Sequence, residues 1–355
     1  MDIATFTQIL EIAFEKKVSD IHFEVDTPPL FRARGHLIHS KLSKLTPKDT
    51  EFIASTVMAQ HNRQLGEQMK EFDTSYTLAN VGRFRVSIFR QRGNIGLVMR
   101  VIPHHIGTFE ELNLPPVLGT IVKAPNGLIL VCGPTGNGKS TTLASMIRYI
   151  NDSFNYSIIT IEDPIEYIFH SSKSCIIQRE VGIDTDDFAC ALKASMRMDP
   201  DVIMVGEMRD LDTIDACIKA AETGHLVLST LHTHSAASTI NRIVGYFPPQ
   251  AQENIRHRLA EILVATVSLR LVRGKNGETV LPAMEVMYAT STIKACIRDG
   301  HLDEIEQHIE KGRDEYHMQT MDQHLIQLCK QEIITLDEAK RSSRSTDLER
   351  KLIYS

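Results

Sequence analysis

The feature that most constrains this chain is the run Gly133-Pro134-Thr135-Gly136-Asn137-Gly138-Lys139-Ser140. It satisfies G-x-x-x-x-G-K-S, follows the apolar run Leu128–Cys132 and precedes a helical pattern. A buried strand, a glycine-rich turn and a helix start are the context in which backbone N–H groups cradle phosphate oxygens. The positive end of the helix points at the same place. Lys139 is expected to reach the β- and γ-phosphates of a nucleoside triphosphate, and Ser140 to ligand Mg²⁺. Gly133 to Ser140, with Thr141 next in the helix, are the candidate ATP contacts.

Around this turn, short apolar runs alternate with helical stretches. The runs are Leu128–Cys132, Ile158–Ile161, Val202–Val205 and Leu226–Leu231; the helices between them include Thr141–Ile150, Phe188–Arg197 and Leu211–Thr223. Continuous apolar runs suit strands buried on both faces of a parallel sheet. The pattern predicts a doubly wound α/β domain over 119–270. Residues 1–102 read as a separate, smaller α+β unit. It opens with a helix over Phe6–Lys17, then a strand in Ser19–Val25. It closes with strands at Arg83–Phe89 and Ile95–Ile102, where period two puts Phe84, Val86 and Ile88 on one face and Arg83 and Arg85 on the other. Residues 103–118, holding Pro103, Gly107, Pro115 and Pro116, read as a linker, and 271–355 as a helical, polar region.

Acidic residues stand at the ends of two of the apolar runs. Glu207 follows Val202-Ile203-Met204-Val205-Gly206; Glu162 and Glu166 lie in Ile161-Glu162-Asp163-Pro164-Ile165-Glu166. Ligands in open α/β sheets bind beyond the carboxyl ends of the strands, so Glu207 is expected to face the phosphates, as metal ligand and orienter of water. A carboxylate after a strand is also an ordinary turn or cap, and Glu162 and Glu166 are carried as candidates beside it. His225 and His232 bracket the run Leu226–Leu231; seven residues apart, they do not share a metal. His232 is the candidate phosphate sensor, with a packed structural histidine as the alternative.

Composition narrows the partners. With 355 residues and a net charge of −6, nothing in the balance calls for nucleic acid. The six cysteines show no C-x-x-C pair, which argues against a zinc ribbon or a disulfide framework. No stretch approaches the roughly 20 apolar residues of a membrane span, and a cytoplasmic location is expected.

The phosphate loop, Ile161–Glu166, Val205-Gly206-Glu207-Met208-Arg209-Asp210 and Ala221-Glu222-Thr223-Gly224-His225-Leu226 occur in order. This ordered set resembles the secretion-type traffic ATPases, in which the segments are called Walker A, Asp box, Walker B and His box. The likeness is to the PilT/PilU group, the type IV pilus retraction motors. Ser19-Asp20-Ile21-His22, Arg83-Phe84-Arg85-Val86, Gln178-Arg179-Glu180-Val181 and Met318-Gln319-Thr320-Met321-Asp322-Gln323 extend it over nearly the whole chain. The resemblance implies a PAS-like N-terminal domain, a RecA-like ATPase domain and a C-terminal helical extension. It implies a homohexameric ring that hydrolyses ATP with Mg²⁺ at the inner membrane, against a platform protein and beside a paralogous retraction ATPase. It also implies phosphate contacts from arginines at the positions of Arg85, Arg90 and Arg100. Extension ATPases of the same kind carry a longer N-terminus and a four-cysteine zinc site, which this sequence does not show. Retraction motors carry Ala-Ile-Arg-Asn-Leu-Ile where this chain has Thr292-Ile293-Lys294-Ala295-Cys296-Ile297, and Phe89-Arg90-Gln91-Arg92 is nearer PilU than PilT. A related secretion or DNA-uptake motor, or an assembly factor with little turnover, are the alternatives.

Overall fold

A computed structural model describes residues 1–33, 35–66, 69–102, 105–277, 279–345 and 348–354. The chain separates into two compact units, Met1–His105 with Glu166–Ile168, and Ile106–Ile165 with Phe169–Ser355.

In the first unit the order is α1 (Ile3–Glu15), β1 (Asp20–Phe23), β2 (Leu30–Ala33), β3 (His36–His39), α2 (Pro47–Ala59), β4 (Glu71–Leu78), β5 (Gly82–Gln91) and β6 (Asn94–Ile102). These strands pair antiparallel in the order β3-β2-β1-β6-β5-β4. Alternation along β5 puts Phe84, Val86 and Ile88 into the core with Phe6, Leu10, Ile53 and Val57 of the two helices. Thr46 and Asp49 cap α2 reciprocally, and Pro47 occupies its first position.

The second unit contains α3 (Leu118–Ile121), β7 (Gly127–Cys132), α4 (Lys139–Ser153), β8 (Ser157–Glu162), β9 (Cys175–Glu180), α5 (Phe188–Ser195), β10 (Val202–Val205), α6 (Leu211–Glu222) and β11 (Leu226–Leu231). There follow α7 (Ala236–Gly245), α8 (Pro249–Ile262), β12 (Leu263–Arg273), β13 (Val280–Tyr288) and α9 (Ser291–Asp299). After a 3₁₀ turn at Leu302–Glu304 come α10 (Ile305–Lys311), α11 (Arg313–Tyr316), α12 (Met321–Lys330), α13 (Leu336–Ser342) and α14 (Leu348–Tyr354). The sheet runs β13-β12-β7-β11-β10-β8-β9, parallel except for the β12–β13 pair.

β7 lies inside that sheet with every residue buried. Leu128, Leu130 and Cys132 face one apolar layer with α6 to α9; Ile129 and Val131 face the other with Leu143, Met146 and Ile147 of α4. This two-sided burial is why the strand reads as a continuous apolar run.

The expectation that the chain turns helical at residue 271 is corrected. β12 continues to Arg273 and β13 returns to Tyr288, so the sheet gains an antiparallel hairpin before the helices begin. Its strands interleave Arg270, Arg273, Pro282 and Glu285 with apolar residues, which hides them as uninterrupted runs. The helices α12 to α14 then pack on Val272, Leu281 and Ala283. No described helix is long and apolar enough to cross a membrane. Pro103, placed in the linker by sequence, lies outside the described residues.

Two buried polar groups fasten the C-terminal helices. Glu285 of β13 accepts the Ala236 N–H at the start of α7 (2.7 Å) and the Ser268 hydroxyl (3.2 Å), and pairs with Arg344 (2.9 Å). Burial raises its pKa, against the lowering effect of Arg344. His324 of α12 accepts the Met284 N–H of β13 on Nδ1 at 2.9 Å. Burial pushes its pKa down from 6.5 to about 4.

The folded state therefore favours the neutral ring of His324. Its contribution is complete above the unfolded pKa near 6.5 and is lost as the pH falls toward about 4. The loss amounts to roughly 3 kcal/mol across that window. His324→Asn keeps a side-chain acceptor without a titratable group. Its melting temperature should fall less between pH 7 and 5 than that of the parent; equal slopes would refute the assignment.

Candidate functional site

The carboxyl ends of β7, β8, β10 and β11 carry the glycine-rich loop, Glu162, Glu207 and His232. β7 passes into the phosphate loop, and α4 begins at Lys139. At Gly133 the backbone is left-handed (φ 152°), and a Cβ would sit 2.7 Å from the Leu269 carbonyl. Gly138 caps α4 in the left-handed region (φ 84°), where an L side chain is strained. A Cβ there would meet only Leu271 Cδ2 at 3.9 Å, so the loop opens outward beside the helix start. The N–H groups of the first helical turn have no intrahelical acceptor. Open space, a helix start and these amides fit a polyphosphate.

Asn137 stands at an unspecified position of the motif. Its Oδ1 accepts the Leu271 N–H of β12 at 2.8 Å, and its amide donates to Pro134 O (3.4 Å) and Thr135 O (3.3 Å). It ties the loop to the neighbouring strand. The buried Lys139 donates from Nζ to Gly133 O (3.0 Å) and Pro134 O (3.2 Å). Carbonyls solvate an ammonium without neutralising it, which suits it to an anion.

β10 hands the chain to Glu207 through Gly206, whose N–H bonds Ile161 O at 2.8 Å and whose carbonyl accepts the Thr230 hydroxyl at 2.7 Å. One Glu207 carboxylate oxygen pairs with Arg209, and the other lies 3.3 Å from His232 Nε2. Burial pushes the Glu207 carboxyl up, but Arg209 and His232 outweigh it, and its pKa lies below the usual carboxylate value. The group is an anion at neutral pH.

His232, just past β11, joins the two halves of the site. Its Nδ1 lies 3.3 Å from Thr135 Oγ1 and 3.5 Å from Lys139 Nζ. An ammonium has only donors, so Nδ1 accepts, the ring proton sits on Nε2, and it is donated to Glu207. His225 differs: Nδ1 lies 2.9 Å from Ala220 O and 3.2 Å from the Thr223 hydroxyl, so it closes the turn after α6.

Glu162 ends β8, one residue past the Ile161–Val205 pair, with its Cα beside Gly206. Buried, it accepts from the Thr160 hydroxyl (2.7 Å) and the Gln178 amide (3.2 Å). Asp163 lies 3.4 Å from Arg209. Glu166 is exposed and belongs to the three residues that group with the first unit. In that unit Arg100 pairs with Asp20 (2.9 Å) and Arg90 donates to Met69 O (2.9 Å). The Arg85 side chain has no hydrogen-bond or ion-pair partner among the described residues. The half-buried Ser140 on α4 and the Glu207 carboxylate are hard oxygen donors, the kind Mg²⁺ prefers. Sequence reading missed two features of the site, Asn137 as an anchor to β12 and Arg209 as the partner of Glu207. Arg209 lies only two residues beyond Glu207, in a quoted motif, and that proximity was the available signal.

A family model described as "Type II/IV secretion system protein" matches residues 3–352. The chain belongs to this family, as one of its P-loop ATPases. It is 41% identical over 319 residues to a protein of Neisseria gonorrhoeae named "Twitching motility protein", covering 90% of this chain and 85% of that one. It is 40% identical over 345 residues to the "Type IV pilus retractation ATPase PilT" of Pseudomonas aeruginosa, covering 97% and 98%. Among solved structures, that of "the Pilus Retraction Motor PilT and Bound ADP" superposes with a TM-score of 0.90 at 44% identity, covering 99% of each chain. The Legionella pneumophila ATPase DotB gives 0.81 at 25% identity, covering 95% and 94%.

Asn137→Ala should leave the Leu271 N–H without its acceptor, at a cost of about 1–3 kcal/mol. Denaturant midpoints and ADP titration should both fall, and Asn137→Asp, which keeps the oxygen, should restore part of each. An Ala variant as stable and as tight-binding as the parent would remove Asn137 from the loop's support.

Proposed function

We propose that this chain is the Mg²⁺-dependent ATP-hydrolysing subunit of a hexameric motor that drives type IV pilus retraction. The observation that carries this reading is the connected set Lys139–His232–Glu207–Arg209 at the mouth of the phosphate loop, in a chain similar end to end to retraction motors.

In this mechanism the loop amides and Lys139 hold the β- and γ-phosphates of the substrate. Ser140 and Glu207 would hold a Mg²⁺ ion, which would supply charge neutralisation. Glu207 orients the attacking water, and its depressed pKa keeps it ready to accept a hydrogen bond. Swinging away from Arg209 or His232 frees one of its oxygens for that task. His232 reports occupancy, because a phosphate that draws Lys139 and Thr135 loosens the hold on its Nδ1. Glu162 assists from the neighbouring strand; Glu166 stays a weaker candidate, exposed as it is.

Among the arginines, Arg85 is the best suited to a phosphate, since its guanidinium has no partner among the described residues. Arg90 and Arg100 must first exchange the partners described above. The start of the linker, at His105, serves as the hinge across which hydrolysis is converted into domain movement, since the second unit already begins at Ile106. A platform protein of the inner membrane, with the motor cytoplasmic beside it, and a PilU-like paralogue are the expected partners.

Phosphate release and nucleotide titration test the chemistry together. Lys139→Ala should abolish ATP binding. Glu207→Gln should bind ATP normally while turnover drops by about 10²–10⁴. Turnover near zero in the parent itself would favour an assembly factor over a motor. Arg85→Ala should cut turnover and spare binding; unchanged turnover would take that arginine out of the mechanism. Deletion in the host should abolish twitching while surface pili persist, and the parent gene but not the Glu207→Gln form should restore it. Retained twitching would point to a different secretion or DNA-uptake machine.

A further inference from the structure

Far along the chain from the phosphate loop, the turn after α9 draws together side chains that the ATPase chemistry does not use. Cys296 lies on the buried face of α9, 7% exposed, in the apolar layer with Ile293 and Ile297. A buried cysteine is ordinarily a small inert core residue. Here, however, the 3₁₀ turn and α10 bring Glu304 and His308 against it. One ligand atom from each of Cys296, Glu304 and His308 lies within 4.8 Å of the others, the one such grouping among the described residues. Glu304 Oε2 is 4.0 Å from His308 Nε2, and Glu304 Oε1 is 3.5 Å from His301 Nδ1.

We propose that Cys296, Glu304 and His308 form a binding site for Zn²⁺, with His301 or a water as the fourth ligand. A thiolate and an imidazole beside one carboxylate select zinc over magnesium or calcium. Bond lengths of about 2.0–2.3 Å in a tetrahedral site bring neighbouring donor atoms to roughly 3.3–3.8 Å of one another. The Glu304–His308 separation of 4.0 Å is a few tenths of an ångström larger, and rotation of these two partly exposed side chains would close the set. The pattern Cys296, His301, Glu304, His308 is neither a ribbon nor a C-x-x-C pair; folding, and not short spacing, assembles the set. Binding cross-links α9 to α10. The segment concerned is the one where this chain has Thr292–Ile297 in place of the Ala-Ile-Arg-Asn-Leu-Ile of retraction motors, with Cys296 at the leucine position.

Cobalt titration of the reduced, nucleotide-free, full-length protein tests the site. The expected result is a thiolate-to-cobalt charge-transfer band in the near ultraviolet, with the visible bands of a tetrahedral ion. Zinc should displace both, and elemental analysis should find one zinc per chain. Cys296→Leu should remove the sulfur band while ADP binding and circular dichroism report an intact fold. His308→Gln should weaken cobalt binding by at least about tenfold. Cys190→Ser, which alters an exposed thiol elsewhere, should change nothing. No sulfur band in the parent, or a band that survives Cys296→Leu, overturns the proposal.

Discussion

The hydrogen bonding of β7 between β11 and β12 is what the rest of the molecule depends on. A parallel strand buried on both faces cannot slide by one residue without turning its whole apolar set the wrong way. Its last peptide therefore has a fixed position. Gly133 N bonds Leu231 O at 3.3 Å, and its Cα leaves no room for a side chain against Leu269. The loop that follows inherits this placement, and Asn137 repeats the attachment farther out on β12. A flexible ring of amides would lose much of its attraction for phosphate to ordering entropy; one anchored at both ends to the sheet does not.

The same sheet end explains why one histidine matters and its neighbour does not. Both flank β11, but only His232 lies at the carboxyl end, within reach of the loop and of Glu207. Because Lys139 offers only protons, the tautomer of His232 is dictated, and the ring becomes a one-way link from ammonium to carboxylate. Cys132, just before the loop, is buttressed from beneath by Thr239 of α7 at 3.2 Å. The residues that handle charge thus stand on a floor of strands and helix starts rather than on free loops.

How much of this the sequence showed follows from burial. The four central strands are legible as apolar runs because both faces are covered, and the observed β8, Ser157–Glu162, extends the run Ile158–Ile161 by one residue at each end. β9, with exposed Cys175 and Ile177 at the sheet edge, has no such signature and was not read. The hairpin of β12 and β13 was missed because charged residues punctuate it, among them Glu285, which is polar by type but buried in fact. The glycine-rich turn between β7 and α4 was legible as a motif, since its spacing is local. The contact between Glu207 and His232 was not, because 25 residues separate them and only the strand register brings them together. The pairing of Arg100 with Asp20, eighty residues away, is likewise a product of the fold.

The pairing of Glu285 with Arg344 has a consequence for how the chain tolerates shortening. A carboxylate sealed beneath the sheet and aimed at the start of α7 relies on a guanidinium supplied almost sixty residues later. A stop codon upstream of Arg344 removes the cation and leaves the buried Glu285 carboxyl without it, and breaking a buried pair costs about 3–5 kcal/mol. The residues near Arg344 thus bear, through Glu285, on the start of α7, the helix whose Thr239 contacts Cys132 beneath the nucleotide loop.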